Sequence, residues 1–172
     1  MEKFDLYDCK RNKIEKTISR GEKCPHGTFR LVVHLCIFNE KDEMLIQQRS
    51  SNKSSNPNKW DISLGGCVQS GEDSQSAVQR ETNEELGLNL DFSQDCPALT
   101  ISFDTGFDDI FIKKADIKLS DVTFKDNEVQ NVKWASKQEI LTFLKSGKFI
   151  KYKPSFIELL FDLNKSSGTF EN

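Results

Sequence analysis

The sequence predicts an α/β protein with a mixed β-sheet flanked by helices and a β-hairpin at its N-terminus. Runs of β-branched and aromatic residues, bounded by turn residues, are interspersed with three helical stretches, without a regular strand–helix–strand repeat. A length of 172 residues, with 36% hydrophobic residues and 13 Phe, supplies apolar material for one core. The expected organisation is a single domain over 1–164, beginning with a strand pair in 1–20, and a disordered tail over 165–172.

Each element has a local cause. Residues 4–8 and 14–18 read as an antiparallel pair across the turn-like Cys9-Lys10-Arg11-Asn12. Residues 29–38 and 43–48 are stronger strands, joined by the hairpin-type segment Asn39-Glu40-Lys41-Asp42. Residues 50–58, crowded with Ser, Asn and Lys, form a loop, and 60–64 a short strand. After Gly65-Gly66 a polar loop leads to a helix over 73–86, with Gly87 placed for a left-handed C-cap. Strands follow at 98–103, 107–117 and 129–134. Ser136 caps a helix ending near Lys145, Pro154 opens a last helix to Leu163, and the chain beyond reads as frayed.

Composition excludes several classes of function. The net charge is −3, from 24 Lys+Arg against 27 Asp+Glu, so no basic excess exists to hold a nucleic acid polymer. The longest nearly apolar run, 31–38, falls far short of the ~20 residues that cross a bilayer. The first residues contain no hydrophobic signal core. The five cysteines are odd in number and show no C-x-x-C spacing, which points to reduced thiols and a cytoplasmic location, and the short apolar run to no membrane association. A homodimer, if formed, has the N-terminal strand pair as its candidate surface.

Chemistry concentrates between Gly65 and Leu88. Residues three and four apart share a helix face, so Glu81, Glu84 and Glu85 are expected to project together, with Arg80 offsetting Glu84 through an i,i+4 pair. Val78, Thr82 and Leu86 form a neighbouring stripe that holds the helix to the sheet. Three converging carboxylates are the hard oxygen set preferred by Mg²⁺ or Mn²⁺. Gly65 and Gly66 allow close approach of the backbone to a ligand, and Glu72 adds a carboxylate near the helix start.

The array reads G-x5-E-x7-R-E-x-x-E-E-x-G from Gly66 to Gly87 and closes with Leu88. It resembles the Nudix box, and the chain is identified on it as similar to Nudix hydrolases. One departure is Thr82, at a position usually aliphatic. The flanks, Ile46-Gln47-Gln48-Arg49, Asn58-Lys59-Trp60-Asp61 and Glu128 to Trp134, are also similar to the family.

The resemblance implies a Nudix-type α/β/α sandwich and divalent-cation-dependent hydrolysis of a nucleoside diphosphate linked to another moiety, X. It implies Glu81 and Glu85 as metal ligands, with Glu84 completing the set and the Gly65 carbonyl as a backbone ligand. Arg80 would orient the carboxylates and Glu72 would stand behind them. The catalytic acids and bases would come from Glu81, Glu84 and, outside the box, Glu128. Arg49 and Arg30 are candidates for gripping a phosphate, and Trp60 for stacking on a base, each with a surface ion pair or plain packing as the competing reading. Phe103, Phe107 and Phe111 read as strand packing, Cys67 as a small buried thiol, and His26 and His34 as isolated structural residues.

Two other functions compete. The run from Asn58 to Gly66 is similar to the isopentenyl-diphosphate-isomerase-like branch of the superfamily. That branch uses a cysteine before the box glycine and a histidine after it, where this sequence has Gly65 and Cys67. A non-catalytic sensor on the same fold would lose box carboxylates, and none is missing.

Overall fold

At the N-terminus, β1 (Lys3–Tyr7) and β2 (Lys13–Ser19) pair antiparallel as a sheet of their own. The structure, a computed structural model, describes residues 1–125, 127–166 and 168. The hairpin turn is closed by Asp8, whose carboxylate accepts hydrogen bonds from the Lys10 and Asn12 amides, while Arg11 takes a left-handed φ of 64°. Phe4, Leu6 and Ile18 form a small core with Cys24 and Cys67.

The main sheet has the order β5 (Trp60–Asp61), β4 (Met44–Arg49), β3 (Arg30–Phe38), β8 (Gly106–Lys114), β7 (Leu99–Phe103). Two further strands branch from it: β6 (Leu64–Cys67) on β3, and β9 (Val129–Ala135) on β4. Among the described strands β3 and β8 are the parallel pair and the other pairings are antiparallel, so the sheet is mixed as expected. The register of β3 on β4 is a single pair, Phe38 with Met44. Where these strands separate, the buried Ser63 hydroxyl donates to the Leu45 carbonyl at 2.6 Å and accepts from the Ile37 amide at 2.8 Å. A hydroxyl there satisfies two backbone groups that the split would leave buried and unpaired.

Helices cover both faces. Leu31, Val33, Leu35 and Ile37 of β3 pack with Ala77, Val78 and Leu86 of α1 (Ser74–Leu86). Cys36 and Phe38 of the same strand pack with Ile140 of α2 (Lys137–Lys145) and with Ile157, Leu160 and Phe161 of α3 (Pro154–Lys165). The period-two alternation of one apolar strand thus feeds two cores, giving a helix–sheet–helix sandwich. Burying each such aliphatic side chain contributes about 1.5–3 kcal/mol.

The caps of α1 follow from its sequence. Asp73 accepts from the Ser76 amide at 2.8 Å, while the Ser76 hydroxyl accepts from the Asp73 amide, a reciprocal capping box. Gly87 ends the helix at φ 68°, where a side chain would meet Thr123.

Three expectations are corrected. The segment 60–64 is not one strand: β5 and β6 are separated by Ile62 and Ser63, and Gly65-Gly66 lie inside β6, held by pairing with β3. The strand expected over 107–117 ends at Lys114. Asn164 is not frayed, because α3 continues to Lys165 and the buried Asn164 amide donates to Asp42 at 3.0 Å. Of the tail expected over 165–172, residues 167 and 169–172 lie outside the described residues. No described helix is long and apolar enough to cross a membrane.

Candidate active site

Gly65 and Gly66 are neighbours in β6 and face opposite sides of the sheet. A methyl group on Gly66 would lie 2.1 Å from the Glu81 carboxyl carbon, and one on Gly65 would lie 2.4 Å from the His34 ring. Both glycines are therefore required by close packing, and the first brings α1 hard against β6. Thr82, fully buried beneath this helix, returns its hydroxyl to the Val78 carbonyl at 2.6 Å, which accommodates a polar group at an apolar position.

Arg80 connects the acids. Its Nε and one terminal nitrogen fork onto the two oxygens of Glu72 at 2.7 and 3.0 Å. Its other terminal nitrogen reaches Glu81 Oε1 at 2.8 Å and Glu84 Oε2 at 2.9 Å, and the first also donates to the Cys67 carbonyl. This charge-assisted set fixes the loop, the helix and β6 to one guanidinium, whose pKa rises accordingly despite burial. Burial works to raise the Glu72 pKa, but the Arg80 fork and the Gln69 amide outweigh it and the net shift is downward.

The Glu81 carboxyl is pushed up to about 7, chiefly by burial, against the opposing pull of Arg80 and with added repulsion from Glu84 and Glu128. It is a buried acid short of counter-charge. Glu85 is buried as well and accepts from the Gln47 side-chain amide at 2.9 Å. Glu84 is nearly half exposed.

The expected convergence of these acids is corrected in one respect. Among the described residues no three His, Cys, Asp or Glu side chains stand together as a ready-made metal site. Like carboxylates repel, and the three divide between two donors: Glu81 and Glu84 share Arg80, while Glu85 accepts from Gln47. The donor chemistry still fits a hard dication. All three groups are carboxylates, Arg80 engages one oxygen of Glu81 and one of Glu84, and Glu81 shares that single cation with Glu72 and Glu84. A cation would compete with Arg80 and Gln47 for these oxygens.

The remaining candidates scatter. Glu128 pairs with Lys53 and is near enough to Glu81 to oppose its ionisation. Arg49 donates from Nε and a terminal nitrogen to the Ser55 carbonyl, tying down the 50–58 loop, and stands 3.9 Å from Asp61. Arg30 keeps a buried Nε with no hydrogen-bond partner among the described residues. Trp60 stacks on Phe143 at 6.2 Å beneath Lys133, on the edge of the second core, so packing accounts for its ring.

Two features escape sequence reading. Asp5 of the hairpin accepts from the Ser70 hydroxyl at 2.7 Å and the Gly71 amide at 2.9 Å, so the N-terminal sheet clamps the loop ahead of α1. The only signal was a charged residue between two apolar ones in a short strand. His34, expected to be isolated, is paired: its Nδ1 lies 2.7 Å from Asp108 Oδ1. Burial works against the charged ring, but Asp108 and Asp61 raise its pKa overall. Asp61 itself is raised by burial, against the help of His34, Tyr152 and Arg49.

The mixed-sheet sandwich carries an acidic loop–helix gripped by one arginine, and the proteins similar to this chain are hydrolases of pyrophosphate bonds. The chain belongs to the NUDIX domain family, whose model matches residues 28–159. It is 41% identical to a Nudix hydrolase of Listeria innocua over 97% of this chain and 98% of that one. It is 31% identical to Nudix hydrolase 3 of Arabidopsis thaliana over 97% of this chain, which corresponds to 22% of the plant protein. A crystal structure from Deinococcus radiodurans superposes with a TM-score of 0.74 at 26% identity, covering 92% of this chain and 97% of that one.

Proposed function

We propose that the protein is a pyrophosphohydrolase dependent on Mg²⁺ or Mn²⁺, cleaving the diphosphate linkage of a nucleoside diphosphate joined to a further group X. The observation that carries this is the single guanidinium of Arg80 bound to Glu72, Glu81 and Glu84, with Glu85 buried one turn from Glu81. Glu81, Glu84, Glu85 and the Gly65 carbonyl are the groups that hold the cation. When bound, it neutralises phosphate oxygens and activates water. Arg80 and Glu72 orient the ligand carboxylates. Glu84, the box carboxylate most open to solvent, accepts the proton of the attacking water, and Glu128 is the alternative acceptor from outside the box. The reaction is intracellular and acts on a small molecule.

The isomerase reading has a physical objection. Its cysteine would occupy position 65, where even a methyl group lies 2.4 Å from His34. A panel of nucleotide sugars, dinucleotides, ADP-ribose and simple diphosphates, assayed with Mg²⁺ or Mn²⁺ and phosphatase coupling, tests the proposal. Metal-dependent release of phosphate products is expected from at least one of them. Conversion of isopentenyl diphosphate to its allylic isomer with no hydrolysis on the panel would contradict it.

A further inference from the structure

We propose that Arg30 and His34 form the part of the site that receives the substrate's phosphate oxygens, with Asp108 as the residue that positions the His34 ring. This rests on the hydrolase reading above and adds the anion-binding surface which the acidic helix cannot provide.

Arg30 and His34 lie four residues apart on β3, so their side chains share one face of the strand. Arg30 makes no ion pair among the described residues, and its Nε is buried without a partner. A half-buried guanidinium with an unused donor is costly unless an anion completes it. His34 gives one nitrogen to Asp108. Its other nitrogen has no hydrogen-bond partner among the described residues and lies against Gly65, 2.5 Å from where a Cβ would stand. An imidazole fixed at one corner by a carboxylate and with an unused nitrogen at the other is arranged to meet a ligand.

The placement links this surface to the acids. Gly65 faces His34 and Gly66 faces Glu81, and the two are consecutive residues, about 3.8 Å apart at Cα. Among the described strands β6 pairs only with β3; its other edge carries no strand, and its Cys67 end is held by the hairpin core and by Arg80. A diphosphate at that edge has the carboxylates on one side and the two nitrogen side chains on the other. The chain carries a net charge of −3, so the uncompensated guanidinium of Arg30 adds local positive charge for a polyanion beside that of a bound cation.

The test is binding of imidodiphosphate, a non-hydrolysable diphosphate, to the full-length protein without metal, by calorimetry and by the imidazole NMR signals of His34. The wild type is expected to bind and to shift those signals. His34→Ala and Arg30→Ala should each weaken binding about tenfold or more, and Asp108→Asn by less. His34→Gln, which keeps a polar group in the ring's place, should recover part of the loss and covers the case in which alanine unfolds the strand. On any substrate that the panel reveals, the same variants should raise KM more than they lower kcat. Wild-type protein that fails to bind the probe at millimolar concentration overturns the proposal, as does a folded His34→Ala variant with unchanged affinity. Binding that depends on Arg30 and His34 without hydrolysis on the panel would instead uphold this surface and reject the hydrolase reading.

Discussion

Gly66 and Glu81 touch so closely that the backbone of one and the carboxylate of the other leave no space for a methyl group: a Cβ on Gly66 would fall 2.1 Å from the carboxyl. That contact sets how far α1 stands from β6. Gly66→Ala should therefore displace Glu81 while leaving most of the fold in place. Activity on the panel substrate is expected to fall by about 10²-fold, the scale on which an ångström of misplacement acts. Circular dichroism would establish that the protein remains folded. Unchanged turnover would show that Glu81 is not held where the chemistry needs it.

Arg80→Lys keeps the charge but loses the planar fork, leaving Glu72 singly bonded and Glu81 or Glu84 unpaired. The expected destabilisation is about 1–3 kcal/mol, below that of a fully buried pair because Glu84 is half exposed. Arg80→Ala should cost more than Arg80→Lys. Urea denaturation of both variants checks the order, and equal stability of all three proteins would contradict it.

The Asp5 clamp yields a local prediction. Asp5→Ala removes the acceptor of the Ser70 hydroxyl and the Gly71 amide, at a cost of about 1–3 kcal/mol. The Gly71 amide should then exchange with solvent hydrogen much faster, whereas amides in the middle of β3 stay protected. Unaltered exchange at Gly71 would mean that the hairpin does not secure the loop.

Asp109 links the hairpin turn to the start of α1. Its carboxylate takes a bidentate pair from Arg11 at 3.0 and 2.7 Å and accepts from Ser74 and Thr100. Burial raises its pKa, but Arg11 and the two hydroxyls outweigh this, so it lies below the usual 3.8. A depressed folded pKa gives stability that is present above 3.8 and is lost as the pH falls through the folded value. Stability should decline as the pH falls from 3.8 through the folded value, and less steeply in Asp109→Asn. Parallel pH profiles for the two proteins would rule out this contribution.

Much of this architecture was legible in the sequence because it is set locally. The acidic periodicity and Gly87 marked α1, Ser136 and Pro154 marked the two later helices, and alternation marked β3. What was missed depends on partners distant in sequence. Gly65-Gly66 became a strand through pairing with residues 33 and 34, which their own weak strand propensity does not suggest. His34 and Asp108 meet only because β3 and β8 run parallel in that register. Glu81, Glu84 and Glu85 were placed on one helix by spacing, but their separate partners, Arg80 and Gln47, follow from packing with the loop and with β4.

The proposed hydrolysis requires Glu81, Glu84 and Glu85 to hold a divalent cation. This requirement is tested most directly by titrating Mn²⁺ into the protein and following free Mn²⁺ by electron paramagnetic resonance. The wild type is expected to deplete the free-ion signal, and a folded Glu81→Gln/Glu84→Gln/Glu85→Gln variant to leave it intact. Equal depletion by both proteins, or none by the wild type at millimolar Mn²⁺, would contradict the account.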